Sequence, residues 1–189
     1  MNDDLQDLME RFLKGFPDAR VGRGPKHPTE PRRELGPKIN GFLRKYKFLQ
    51  QDIGYVVFLK TYAGAFVSEP YIDIAGFTTG LSLHLTDDEG DVIENGQMIF
   101  AEINVHVLGG PTTNERYENM TFGFEATGTH PPGIYITRYL AADKRWSNAV
   151  EIDWQWFCKD FLTWLRLLIE TRGHLYLALP NTKSLEDFT

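Results

Sequence analysis

The sequence predicts an α+β fold with a twisted, mostly antiparallel sheet packed against helices. Three observations predict it. Leu5, Leu8, Met9, Phe12, Leu13 and Phe16 recur every three or four residues, the period of an amphipathic helix. From Phe66 to Ile152 the chain changes to short apolar or alternating runs broken by polar, Gly- and Pro-rich turns. A helical period then returns at Phe157, Phe161, Trp164, Leu165, Leu168 and Ile169. Helices, a run of strands and a closing helix make up the segregated order of an α+β domain.

Each element follows from its own residues. Asp3, Asp4 and Asp7 favour the positive end of the first helix, and Lys14-Gly15 marks its stop. Residues 17–37 carry Pro17, Pro25, Pro28, Pro31 and Pro37 among Gly22, Gly24 and Gly36, with few apolar side chains. That composition predicts an extended linker or arm wrapping the domain. Ile39, Phe42, Leu43 and Tyr46 fit a short second helix. Residues 52–64 are ambiguous by pattern: the Val, Ile and aromatic content suits a strand, whereas Asp52 as a cap and Gly64 as a stop suit a helix.

Strands are expected at 67–74, 81–85, 97–107, 120–125, 133–139 and 146–152. A polar turn is expected over 86–91 and breaks at Gly109-Gly110-Pro111 and Gly128–Pro132. Along 97–107, Met98, Phe100, Glu102 and Asn104 alternate with Ile99, Ala101, Ile103 and Val105. Asp153 is the expected cap of a closing helix that would carry Trp154, Cys158 and Leu162 beside its apolar face and end at Thr171-Arg172-Gly173. A strand or docked tail is expected at 175–179. The domain organisation is an N-terminal helix over 1–16, a basic linker over 17–37 and one domain over 38–189.

Size and composition bound the class. At 189 residues, 42% hydrophobic and 24% charged, the chain is long enough to bury a core without covalent staples. The single cysteine excludes an internal disulfide framework and a cysteine zinc cluster. No apolar run approaches the roughly 20 residues of a membrane span. The acidic start, Met1-Asn2-Asp3-Asp4, lacks the apolar stretch of a secretory signal, so a cytoplasmic protein with no membrane partner is expected.

No residue pattern announces catalysis or a cofactor. The histidines His27, His84, His106, His130 and His174 are too far apart in sequence for a local ligand pair. His84 and His106 would meet only if their strands were neighbours. Asp87-Asp88-Glu89-Gly90-Asp91 is rich in oxygen ligands, but Val92 stands where a calcium loop needs glycine. Gly109-Gly110-Pro111-Thr112-Thr113 lacks the Lys-Ser/Thr ending of a phosphate-binding loop, and no Gly-x-Ser-x-Gly elbow occurs. Cys158 reads as a small buried hydrophobe. The expectation is therefore no catalytic residue, no metal and no cofactor.

Charge is more informative. Residues 17–60 hold ten basic and four acidic side chains, whereas residues 61–138 hold eleven acidic ones against Arg116 and Arg138. The acidic stretch would repel nucleic acid and attract a basic protein. The basic arm lacks interleaved aromatics for base stacking, so no direct nucleic-acid partner is expected.

The ordered set Tyr55-x-x-Phe58-Leu59-x-x-Tyr62-Ala63-Gly64, Phe122-Gly-Phe-Glu-Ala-Thr-Gly128 with Gly133-Ile-Tyr-Ile136, and Phe157-x-x-x-Phe161-Leu-x-x-Leu165 resembles the SUKH superfamily over roughly residues 38–173. Ala63-Gly64-Ala65 stands where that family has a glycine pair, and the insert at 86–118 is longer than the family pattern. The resemblance implies helix rather than strand at 53–62 and a non-enzymatic, protein-binding role. In bacteria, proteins of this type commonly serve as immunity proteins that block a cognate toxin, often a nuclease.

That role suits the charge map, since a nuclease needs a basic groove that an acidic surface can fill. Asp87, Asp88, Glu89, Asp91 and Glu94, with Glu115 and Glu118 as neighbours, are the expected acidic surface. Trp146 and Trp156 are the expected aromatic anchors. The alternative is a regulatory or scaffold domain that uses its basic arm within a larger assembly. A third reading, an enzyme or small-ligand domain, would need polar groups converging in a deep pocket.

Overall fold

The computed structural model describes residues 2–77, 93–107, 116–141 and 149–179. Among them the chain runs α1 (Asn2–Gly15), β1 (Arg20–Val21), α2 (Leu35–Lys45), a 3-10 turn (Lys47–Gln51) and α3 (Ile53–Thr61). It continues through β2 (Ala65–Val67), β3 (Tyr71–Ile74), β4 (Ile93–Glu94), β5 (Gln97–Val107), β6 (Arg116–Glu125), β7 (Ile134–Ala141) and β8 (Val150–Cys158). It closes with α4 (Phe161–Glu170) and a 3-10 turn (Leu175–Ala178).

The fold is α+β. Every described strand pair is antiparallel, in the order β1-β2-β3-β5-β6-β7-β8, with the short β4 also on β5. Asn95 and Gly96, both at positive φ (48° and 81°), form the two-residue turn from β4 to β5. An Asn-Gly pair suits that turn because its twist matches that of the flanking strands.

The core lies between one face of the sheet and the helices. Tyr55 and Phe58 of α3, Phe100 of β5 and Phe161 and Trp164 of α4 are all fully buried. Their rings meet at centroid separations of 4.9–6.3 Å. Leu5, Leu8, Met9 and Phe12 of α1, with Phe16 just after it, join the same core, so the first helix is continuous with the rest of the molecule.

Two acids set the helix starts. Asp52 Oδ1 accepts the Tyr55 amide at 2.9 Å and caps α3, while Oδ2 accepts the Phe161 amide at 2.7 Å, at the head of α4. Burial pushes the Asp52 carboxyl up, against the hydrogen bonds from those two amides. Residues 53–61 are thus helix, as the family resemblance implied. Asp160 caps α4 through the Thr163 amide at 2.8 Å.

That second cap overturns the expected closing helix. Asp153, Trp154, Phe157 and Cys158 lie on β8, and the helix begins only at Phe161. Register shifts between β7 and β8 break the strict alternation there, which hid the strand. The expected strand at 67–74 is two strands, β2 and β3, separated by a turn. Of the strand or docked tail expected at 175–179, the structure has the docked tail: a 3-10 turn over Leu175–Ala178 with Leu175 and Leu179 buried. The strand expected at 81–85 and the turns at 86–91 and 109–111 lie outside the described residues.

The arm is also shorter and more engaged than its composition suggests. It ends at Glu34, because α2 starts at Leu35 with Pro37 in its first turn, where a missing N–H costs nothing. The amides of Gly22, Gly24 and Lys26 donate to the carbonyls of Gly64, Thr61 and Lys60 at 2.8–2.9 Å. The bonds to Thr61 and Lys60 satisfy carbonyls that the last turn of α3 leaves without helical partners. Gly24 is required: a Cβ there would stand 2.3 Å from the Lys60 carbonyl oxygen.

Candidate functional site

The helices cover one face of the sheet, and the polar side chains collect on the other. Register builds that face in rows. Asp73, Glu102, Thr121 and Thr137 stand side by side across β3, β5, β6 and β7. Tyr71, Asn104, Asn119, Tyr139 and Glu151 form the next row, and His106 and Tyr117 a third.

A bulge on β5 makes the face polar. The register shifts between Ile99 and Ala101, so Phe100 and Ala101 both turn to the helices. Strict alternation would have placed Met98 and Phe100 beside Glu102 and Asn104. The extra residue instead gathers the apolar side chains on one side and leaves Glu102 and Asn104 on the other.

Hydrogen bonds order these side chains. Asn119 Nδ2 donates to Glu102 Oε1 at 2.6 Å and to Asn104 Oδ1 at 2.7 Å. Tyr139 donates its hydroxyl to Glu151 at 2.9 Å. His106 stacks on Tyr117 with centroids 4.5 Å apart and planes 2° off parallel. Asp73 is fully buried directly opposite Glu102.

At one end of the face, Trp156 of β8 is half-exposed, at 51%. Its indole lies against Gly133, where a Cβ would come within 2.7 Å of Nε1. Glu125 holds the adjoining loop: Oε1 accepts the Thr127 amide at 3.0 Å and Oε2 the Gly128 amide at 2.8 Å. Burial alone would raise the Glu125 carboxyl, but hydrogen bonds from Thr127, Gly128 and Thr129 outweigh it and hold it below the usual value.

A folded value below the unfolded one, about 4.3, means that this carboxylate stabilises the loop fully above that pH. The contribution is lost as pH falls through the lowered folded value. The Gly128 amide proton should therefore move upfield on acidification, followed by NMR. In Glu125→Gln the movement should vanish; an unchanged titration would mean that another group holds the loop.

The expected site residues separate clearly. Trp156, an expected anchor, is half-exposed on β8. Glu118 is a correction: it is fully buried, points to the helical side and pairs with Arg138, so it cannot form part of an acidic surface. Its neighbours in sequence gave no sign of this, because the partner sits on the next strand. Glu94 lies on β4. Asp87, Asp88, Glu89, Asp91, Glu115 and Trp146, like His84, lie outside the described residues.

Asp153, expected as a helix cap, lies on β8 beside Glu151, one residue past the strand expected at 146–152. The alternation Val150, Glu151, Ile152, Asp153 is the strand signal that extends to it.

Chemically, this face offers carboxylates, amides and phenols that accept or donate hydrogen bonds. Among the described residues, no three His, Cys, Asp or Glu side chains are placed to hold a metal ion. The Cys158 thiol is buried and pushed up to about 12 by that burial, which keeps it in the unreactive protonated form. No helix among the described residues is long and apolar enough to cross a membrane. No known protein family, curated protein or solved structure matches the chain.

Proposed function

We propose that this chain is a non-enzymatic protein-binding domain, an immunity protein of the SUKH type that neutralises a cognate toxin in the cytoplasm. The class comes from the ordered resemblance of residues 38–173. The observation that carries the mechanism is the outer strand β8. It bears exposed Glu151 and Asp153 beside half-exposed Trp156, and no Lys or Arg. An aromatic anchor next to two surface acids suits a basic partner such as a nuclease.

Affinity-tagged protein expressed in its native host should co-purify with one stoichiometric basic protein whose toxicity it abolishes. Trp156→Ala should then weaken that complex by about 10- to 100-fold, measured by calorimetry, without lowering the melting temperature. Charge reversal at Glu151 and Asp153 should slow association and flatten its salt dependence. Recovery of several housekeeping proteins and no toxin would overturn the reading.

A further inference from the structure

A second surface lies on the helical layer, away from β8. Helix α3 is apolar on most of its surface: Tyr55, Phe58 and Leu59 fill the core, whereas Val56 and Val57 are only partly buried against it and Ile53 is exposed. A helix of that composition is normally covered all round. Ile53 is instead 48% exposed, and Leu13 of the adjacent α1 is 40% exposed.

Two solvent-open grooves flank this ridge. One, of about 490 Å³, runs between α1, α3 and the arm, over Met9, Leu13 and Val57. The other, of about 440 Å³, runs between α2 and α3, over Leu43, Ile53 and Val56. Lys60 lines both grooves.

Charge identifies the occupant. Lys26 and Lys60 line the first groove, and Arg44 and Lys60 the second. Among the described residues none of the three forms an ion pair. Among the described residues the only carboxylate lining either groove is Glu10, which accepts a hydrogen bond from Gln6.

We propose that the outer face of α3 docks an acidic amphipathic helix of a partner protein. Its apolar stripe would lie along Ile53, Val56 and Val57, and its flanking carboxylates would meet Lys26, Arg44 and Lys60. This is the helix-in-groove mode, with the rim charges selecting the sign of the partner. A protein helix suits the surface better than a small molecule, because both grooves are open along an exposed ridge and a bound small molecule needs most of its surface enclosed.

The probes are two fluorescein-labelled peptides of about 18 residues, long enough to populate helix. Both carry leucine at i, i+3, i+4 and i+7; one is flanked by glutamate and its twin by lysine. Anisotropy titration at low salt should give at least about tenfold tighter binding of the glutamate peptide, a preference that shrinks with added salt. In Arg44→Glu/Lys60→Glu, at an unchanged melting temperature, the preference should reverse. If that variant melts early, Lys26→Glu, which leaves α2 and α3 untouched, should still reduce it.

Absence of binding by either peptide up to about 1 mM overturns the proposal, as does a preference that survives charge reversal. Sedimentation with phosphatidylglycerol vesicles without peptide binding overturns it in favour of a lipid surface.

Discussion

Arg138→Met is expected to destabilise the protein by about 3–5 kcal/mol, the loss typical of one partner of a buried ion pair. Arg138 is 1% exposed and Glu118 fully buried, and Arg138 Nε donates to Glu118 Oε1 at 2.5 Å. Both face the helical side, alongside Met120 and Leu140, where an unpaired carboxylate has no water to solvate it.

The pair is incompletely satisfied, since Glu118 Oε2 and Arg138 Nη2 find no hydrogen-bond partner among the described residues. Glu118→Leu/Arg138→Met together should therefore fall within about 1 kcal/mol of the parent, because removing both charges removes both desolvation penalties. Urea unfolding of the two single variants and the double variant measures the difference. Single variants as stable as the parent would mean that neither charge is desolvated in the native state.

Trp164→Ala should cost a comparable 3–5 kcal/mol, roughly, from lost transfer energy and the cavity left behind. Trp164 is fully buried among Phe100, Phe122 and Phe161, with ring centroids 5.1, 5.5 and 5.8 Å away. Those rings come from β5, β6 and α4, so little can collapse into the space without moving the sheet against the helix.

Trp164→Phe should cost far less, at most about 2 kcal/mol. The smaller ring keeps most of the contacts, and the indole N–H it removes has no acceptor among the described residues. Thermal melts followed by near-ultraviolet circular dichroism distinguish the two. Equal losses would show that the indole nitrogen has a role the buried site does not reveal.

Legibility followed the range of each signal. Strand β5 has the expected bounds, 97–107, because eleven consecutive residues carry the strand pattern. Helix α1 announced itself through apolar residues at helical spacing, and Asp52 was legible as a cap. The closing helix was misplaced because Asp153 and Asp160 offer the same local signal. The choice between them depends on β8 pairing with β7 and on Asp52 reaching across the core to the Phe161 amide. The candidate site was legible only in part: Trp156 stood out as a large aromatic, whereas the polar rows exist only once the strands are in register.

By itself the sequence determined the α+β class, the first helix, the fifth strand and the uneven charge, since each depends on neighbours a few residues away. Only the tertiary structure decided which way Phe100 faces, that the arm docks on the end of α3, and that Glu118 is a buried partner of Arg138 rather than a surface acid. Those outcomes depend on hydrogen bonds and burial between segments 20 or more residues apart. A bulge of one residue inverts a strand's faces without changing its composition.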